Sequence, residues 1–265
     1  MKILPNIPAL FKLLKDVRHF NKYKKYIDGA RADGNYELEK MLILECSSTF
    51  GDMLIKQFHC DFHVHGQENI PDHGPVVVVG NHQGYADIPM MFAAFNKFQL
   101  GFIAKQPLAK LPLYGEWIPR IRGIFIDNTD ARASLRSIKE GVEYLNLGFS
   151  MAIFPEGTRS HGPEMGEFMP GSLKLATKAG VPIIPFSLNG TYRMYEETGV
   201  MRGARIDVMV HEPIQTAGLT KAEERALSGK IEQIIKDGVA ELVKLQPDYV
   251  EPEVEAEEGD TSVAG

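Results

Sequence analysis

His82 and Asp87 stand five residues apart in "NHQGYAD", immediately after the apolar run "PVVVVG". An imidazole changes charge near neutral pH and is suited to taking a proton from a hydroxyl. If the loop folds back, the Asp87 carboxylate can accept the Nδ1 proton and leave Nε2 free as a base. Asp87 also directly precedes "IPMMFAAF", where it can cap a helix through backbone amides. The two roles are compatible. A second polar cluster, "FPEGTRS" at residues 154–160, follows another apolar run, "SMAI". Pro155 and Gly157 favour a tight turn that exposes backbone. Beside it, Arg159 offers a five-donor fork that matches phosphate, and Glu156 offers an acceptor for a hydroxyl.

Both clusters need a scaffold that ends two buried strands at one place. From residue 60 onward, short apolar segments alternate with helical ones. Strands are expected near "DFHVHG", "PVVVVG", "QLGFIA", "RGIFI", "SMAIF", "VPIIPFSL" and "RIDVMVH", and helices near residues 87–96, 130–146, 171–179 and 220–244. "PVVVVG" and "VPIIPFSL" are nearly continuous apolar runs, as in central strands covered on both faces. Thr220 followed by Glu223 is a capping-box signal for the last helix. The pattern predicts an α/β fold with a mixed central sheet flanked by helices. A strand end that feeds a helix start is where such sheets place ligands.

The N-terminal region has a different pattern. Leu10, Phe11, Leu13, Leu14, Val17 and Phe20 recur at helical spacing, and Lys2, Lys12, Lys15, Arg18, Lys22, Lys24 and Lys25 outnumber the single acid Asp16. This predicts a basic amphipathic helix, suited to a membrane interface or to docking on its own domain. A second helix, roughly residues 35–57, would pair with it as a hairpin projecting from the core. The expected division is therefore an N-terminal helical membrane-association segment at 1–57, an α/β domain at 58–246 and an acidic tail at 247–265. The tail stretch "DYVEPEVEAEEGD" alone carries seven acids, more than the whole chain's formal net charge of -6, and is expected to be disordered.

Composition excludes several classes. Two cysteines, Cys46 and Cys60, make no disulfide framework and suit a reducing compartment. The start of the chain lacks a secretory signal's long apolar core, and no stretch reaches 18 largely uncharged apolar residues, so no spanning helix is expected. There is no glycine-rich nucleotide fingerprint. His59, Asp61, His63 and His65 alternate as the polar side of an edge strand rather than as a metal site. The basic residues do not interleave with aromatics on a sheet or fall in a helix-turn-helix, so no nucleic-acid partner is expected.

In order along the chain, "NHQGYAD", "RGIFIDN", "FPEGTRS" and "VPIIPF" resemble the four sequence blocks of the glycerolipid acyltransferases, specifically the 1-acyl-sn-glycerol-3-phosphate acyltransferase family, over about residues 60–215. The resemblance implies that His82 and Asp87 are the catalytic pair. It implies too that Glu156, Gly157, Thr158 and Arg159 bind glycerol phosphate, with Lys105 and Arg122 as further polar contacts. The implied reaction moves an acyl group from acyl-CoA or acyl-acyl carrier protein to lysophosphatidic acid. It needs no cofactor or metal and takes place peripherally at anionic lipid on the cytoplasmic membrane face. The alternatives are another lysolipid or glycerol 3-phosphate as acceptor, or a non-catalytic lipid-binding protein. Two departures bear on the acceptor. Gly84 stands where the family usually has serine, and Asn128 where it usually has arginine, which shifts the phosphate grip toward Arg122, Lys105 or Arg132.

Overall fold

The computed structural model describes residues 3–127 and 130–246, so Asn128 and the acidic tail lie outside the described residues. Seven strands form one sheet in the order β1-β7-β6-β2-β5-β3-β4. They are β1 (Asp61–His65), β2 (Val77–Gly80), β3 (Leu100–Lys105), β4 (Ile124–Ile126), β5 (Ser150–Ile153), β6 (Ile183–Asn189) and β7 (Arg205–Val210). Five of them, β6, β2, β5, β3 and β4, run parallel. β7 is antiparallel to β6, and β1 follows β7, which makes the sheet mixed. The C-terminal ends of the five parallel strands therefore meet along one edge of the sheet, and the loops carrying both polar clusters leave from there.

The continuous apolar runs are explained by burial on both faces. In β2, Val78 joins the core on one side while Val77 and Val79 join the core on the other. One face is covered by α2 (Tyr36–Phe58) and α3 (Asp87–Ala94), the other by α5 (Ala131–Asn146), α6 (Lys174–Ala179) and α7 (Lys221–Lys244). The expected capping box at Thr220 and Glu223 opens α7. A helix not anticipated from the sequence, α4 (Pro112–Arg120), lies between β3 and β4. Pro112 suits its first turn, whereas Pro119 obscured it in the sequence.

The N-terminal helix α1 (Ile3–Ala32) turns at Gly34 (φ +67°) into α2, whose first turn is capped by Asn35 accepting from Leu38 N at 3.1 Å. The two helices pair as expected, but they do not project from the core. Gly51 of α2 lies so close to α3 that a Cβ there would sit 2.5 Å from the Pro89 carbonyl oxygen. Along α1, five of the six apolar residues divide between two environments. Leu13 packs on the core and Phe20 is buried, whereas Leu10, Phe11 and Leu14 are exposed. Arg120 of α4 forms two bonds of 2.9 Å with Asp28, and the buried Asn6 holds Gly199 O and Met201 N at 2.7 Å. Helix α1 is thus tied to two segments that flank the sheet's loop-bearing edge.

Candidate active site

The site is built around the turn between β2 and α3. Asn81 anchors the turn to the neighbouring strand by two hydrogen bonds to the Leu188 backbone, at 2.8 and 2.9 Å. His82 follows, and its Nδ1 lies 2.6 Å from Asp87 Oδ2. That oxygen also accepts from the amides of Gln83 at 2.7 Å and Gly84 at 3.1 Å, while Oδ1 accepts from the Thr191 hydroxyl. The carboxylate is fully buried among these donors, and His82 is partly exposed. This network assigns the ring proton to Nδ1 and leaves the Nε2 lone pair as the base in the neutral ring. The imidazole also stacks on Phe154, with centroids 4.2 Å apart and planes at 20°, which holds its orientation from a second side. Asp87 therefore orients the histidine, but it does not cap the helix: α3 begins at Asp87 itself, and the carboxylate accepts from amides of the preceding turn.

Glu156 is held within the chain. Its Oε1 accepts from the His82 amide and its Oε2 from the Gly166 amide, both at 2.7 Å. Burial pushes its carboxyl above the ordinary glutamate range, although these two amide bonds oppose the shift. Both oxygens accept from backbone, which makes Glu156 a brace between loops. It ties the β5 loop to the histidine loop, and Ser160 N completes the tie by donating to His82 O at 2.8 Å. Gly157 is required here because its φ is +65° and a Cβ would meet the Met169 sulfur at 2.3 Å. Thr158 is exposed and makes no hydrogen bond among the described residues.

Arg159 lies over the Tyr85 ring, 3.6 Å from its centroid, and donates through Nη1 to Glu196 Oε1 at 2.6 Å. Glu196 also accepts from the Tyr85 amide at 2.8 Å. Lys105 is exposed at the C-terminal end of β3 and has no ion-pair partner among the described residues, which leaves its ammonium available to an anion. Tyr114 of α4 is close enough for Tyr85 and Arg159 to affect its phenol, whose pKa is raised mainly by burial. Arg122 is likewise held within the chain. Its Nε and Nη2 bind Glu39 at 2.8 and 2.6 Å, and its guanidinium lies against Tyr36, Tyr144 and Phe149. Such a buried, doubly bonded arginine joins α2 to β4 and is not offered as a phosphate grip. Arg132 is exposed in the first turn of α5.

Sequence reasoning missed Gln83, Thr191 and Glu196. Gln83 is fully buried and accepts from Gly190 N at 2.9 Å, fastening the end of β6 to the histidine loop. Beyond it, buried polar groups continue through Asn189 and Gln246 to Asp207, which accepts from His65 at 2.8 Å and Arg205 at 3.0 Å. Thr191 and Glu196 follow the end of β6 closely, so the strand-end rule that singled out His82 and Arg159 would also have reached them. Among the described residues no three His, Cys, Asp or Glu side chains converge as a metal site, and His63 pairs with Asp61.

The chain is similar to known proteins. The family model described as Acyltransferase matches residues 61–189. A 1-acyl-sn-glycerol-3-phosphate acyltransferase of Borreliella burgdorferi is 30% identical over 65% of this chain and 70% of its own length. A chloroplast enzyme of the same name from Arabidopsis thaliana is 32% identical over 57% of this chain, which spans only 43% of that relative. The crystal structure of the 1-acyl-sn-glycerophosphate acyltransferase PlsC from Thermotoga maritima superposes with a TM-score of 0.68 at 30% identity, covering 86% of this chain and 97% of that one. With 30% identity to a relative covered over 70% of its length and a fold shared over 86% of this chain, the chain belongs to the 1-acyl-sn-glycerol-3-phosphate acyltransferase family.

Proposed function

We propose that the chain transfers an acyl group from a thioester, acyl-CoA or acyl-acyl carrier protein, to the free 2-hydroxyl of 1-acyl-sn-glycerol 3-phosphate, giving phosphatidic acid. The observation that carries this reading is the 2.6 Å His82–Asp87 bond, made through Nδ1 at the C-terminal ends of the parallel strands with Arg159 on the adjoining loop. The acceptor oxygen attacks the thioester carbonyl carbon as Nε2 of His82 takes the hydroxyl proton. The tetrahedral intermediate collapses with cleavage of the C–S bond. The departing thiolate takes the proton back from the imidazolium, so an ester and a free thiol leave and His82 is restored. Asp87 holds the tautomer and stabilises the transient imidazolium. Arg159 and Lys105 would hold the acceptor phosphate, and the fixed geometry lowers the entropic part of the barrier. A panel crossing lysophosphatidic acid, other lysophospholipids and glycerol 3-phosphate with both thioester types tests the reading. Lysophosphatidic acid should be turned over in preference to glycerol 3-phosphate. The reverse order would reassign the acceptor, and no turnover of any pair would favour a non-catalytic lipid-binding role.

The reading includes peripheral attachment to anionic lipid at the cytoplasmic membrane face. What supports it is an exposed stripe on α1, formed by Leu4, Ile7, Phe11 and Leu14, with Lys12 and Lys15 also exposed. No helix among the described residues is long and apolar enough to cross a membrane. Basic groups near an anionic surface contribute about 1 kcal/mol each, an attraction that salt screens. Full-length protein should co-sediment with anionic vesicles more than with neutral ones. A folded variant with Leu4, Ile7, Phe11 and Leu14 changed to Ser should lose most of that binding, and equal binding by the variant would remove the attachment role.

A further inference from the structure

Arg159 is the one basic residue of the third block, yet its charge is already met within the chain. Glu196 lies beneath it with only 3% of its side chain exposed. Its Oε1 accepts from Arg159 and from the Tyr85 amide, while Oε2 is buried without a hydrogen-bond partner among the described residues. Oε2 faces Gly84. A Cβ at residue 84 would stand 2.5 Å from that oxygen and 2.9 Å from the carboxyl carbon. The lack of a side chain at residue 84 is therefore what leaves room for the carboxylate where it stands. The turn that carries His82 thus meets, at Gly84, the carboxylate of Glu196 from the segment after β6.

We propose that Glu196 is a specificity-determining residue of the acceptor subsite. It holds Arg159 in place while cancelling its charge, so the subsite favours a headgroup with one negative charge on its phosphate over one with two. The physical basis is Coulombic. A phosphate oxygen bound to the free edge of the guanidinium gains a directed hydrogen bond from either kind of headgroup. The second charge of a phosphomonoester gains little from a neutralised arginine and is repelled by a carboxylate that burial screens less than water would. Lys105, the other cation assigned to the acceptor phosphate, is exposed, and solvent weakens its compensation. The chemical class selected is thus a phosphodiester or a singly ionised phosphomonoester on a lysolipid. This inference rests on the acyl-transfer reading above.

The test compares kcat/KM for lysophosphatidic acid, a phosphomonoester, with that for lysophosphatidylglycerol, a diester with one negative charge and no cation. Both carry the same acyl chain, in neutral-lipid vesicles at saturating acyl-CoA or acyl-acyl carrier protein. The ratio of the two cancels ionisations of the enzyme that both reactions share, including the base. A phosphomonoester takes its second charge near pH about 6. In the wild type the ratio should fall at least threefold between pH 5.5 and 8. Glu196→Gln keeps a carbonyl acceptor for the Tyr85 amide and Arg159 but removes the charge. It should raise the ratio about tenfold at pH 8 and have a smaller effect at pH 5.5. A wild-type ratio that does not change with pH overturns the proposal even if the variant fails to fold. So does a folded Gln variant with the wild-type ratio at pH 8, which would make Glu196 a structural support only. Transfer to neither lysolipid from either thioester would overturn the acyl-transfer reading itself, and this inference with it.

Discussion

The molecule contains two pairs of a buried aspartate with a partly exposed histidine, and they differ in what else holds the aspartate. At the parallel strand ends, Asp87 receives His82 Nδ1, two backbone amides and a threonine hydroxyl, with no cation among these donors. Two strands along the sheet, beside the end of β6, Asp207 in β7 receives His65 through Nε2, together with the Arg205 guanidinium and the Gln246 amide. Burial opposes the charge on Asp207, but these three bonds outweigh it and hold its carboxyl below the ordinary range. A positive charge arriving on His82 meets a carboxylate with no competing cation, whereas one on His65 meets a carboxylate already paired. On the proposed reading, the same two residue types therefore make a base in one place and a structural brace in the other. What separates them is the nitrogen used and the neighbours of the acid.

Substitutions at the two pairs should separate most widely in turnover. His82→Ala should reduce kcat by about 10³, in the range lost with a general base, while circular dichroism and vesicle binding stay close to wild type. His65→Ala should remain within about twofold in the same assay. Next in size, Glu156→Gln places an amide N–H against either the Gly166 or the His82 N–H. It should lower stability by about 2 kcal/mol, as expected for a buried group left unpaired, and reduce kcat by about 10². Asp207→Asn should show the opposite division, with a clear loss in urea midpoint and little change in kcat. Thr191→Val removes one donor from Asp87 at nearly constant shape and should lower kcat about tenfold with the acceptor KM unchanged.

The smallest effect is a pH dependence of opposite sign at two buried carboxyls. Asp207 is held below its ordinary value of 3.8. Its contribution to stability is thus present above that value and is lost as pH falls through the lower folded-state value. Glu156 is raised above its ordinary value of 4.5, so what it contributes is fullest below that value and declines as pH rises through the folded-state value. Denaturant midpoints of Asp207→Asn and Glu156→Gln, each compared with wild type from pH 3 to 7, should converge toward wild type at low pH for the first. For the second, the deficit should be largest at low pH and shrink as the wild-type carboxyl ionises.

All seven strands and the flanking helices of the α/β body were legible from apolar runs and caps, because burial on both faces leaves an uninterrupted signal in β2 and β6. Helix α4 was not, since "PLYGEWIPR" carries a proline at each end and has no fully buried residue. His82 and Asp87 are local in sequence, and their pairing could be reasoned from a single turn. The partner of Asp87 through Oδ1 lies at Thr191, 104 residues away, and that of Arg159 lies at Glu196, 37 residues away. Such contacts depend on which strands become neighbours in the sheet, and spacing along the chain contains no measure of that. Glu156 and Arg122 were assigned to ligands for the same reason. Charge type was visible, but the backbone amides and the Glu39 carboxylate that occupy them were not.

The close approach of residue 84 to Glu196 also limits what that turn can carry. A Cβ at residue 84 would stand 2.5 Å from Glu196 Oε2, so any side chain there requires the carboxylate to shift. That carboxylate is also the acceptor for Arg159 and for the Tyr85 amide. A change as small as Gly84→Ala on the histidine turn should therefore be felt at the arginine of a different loop.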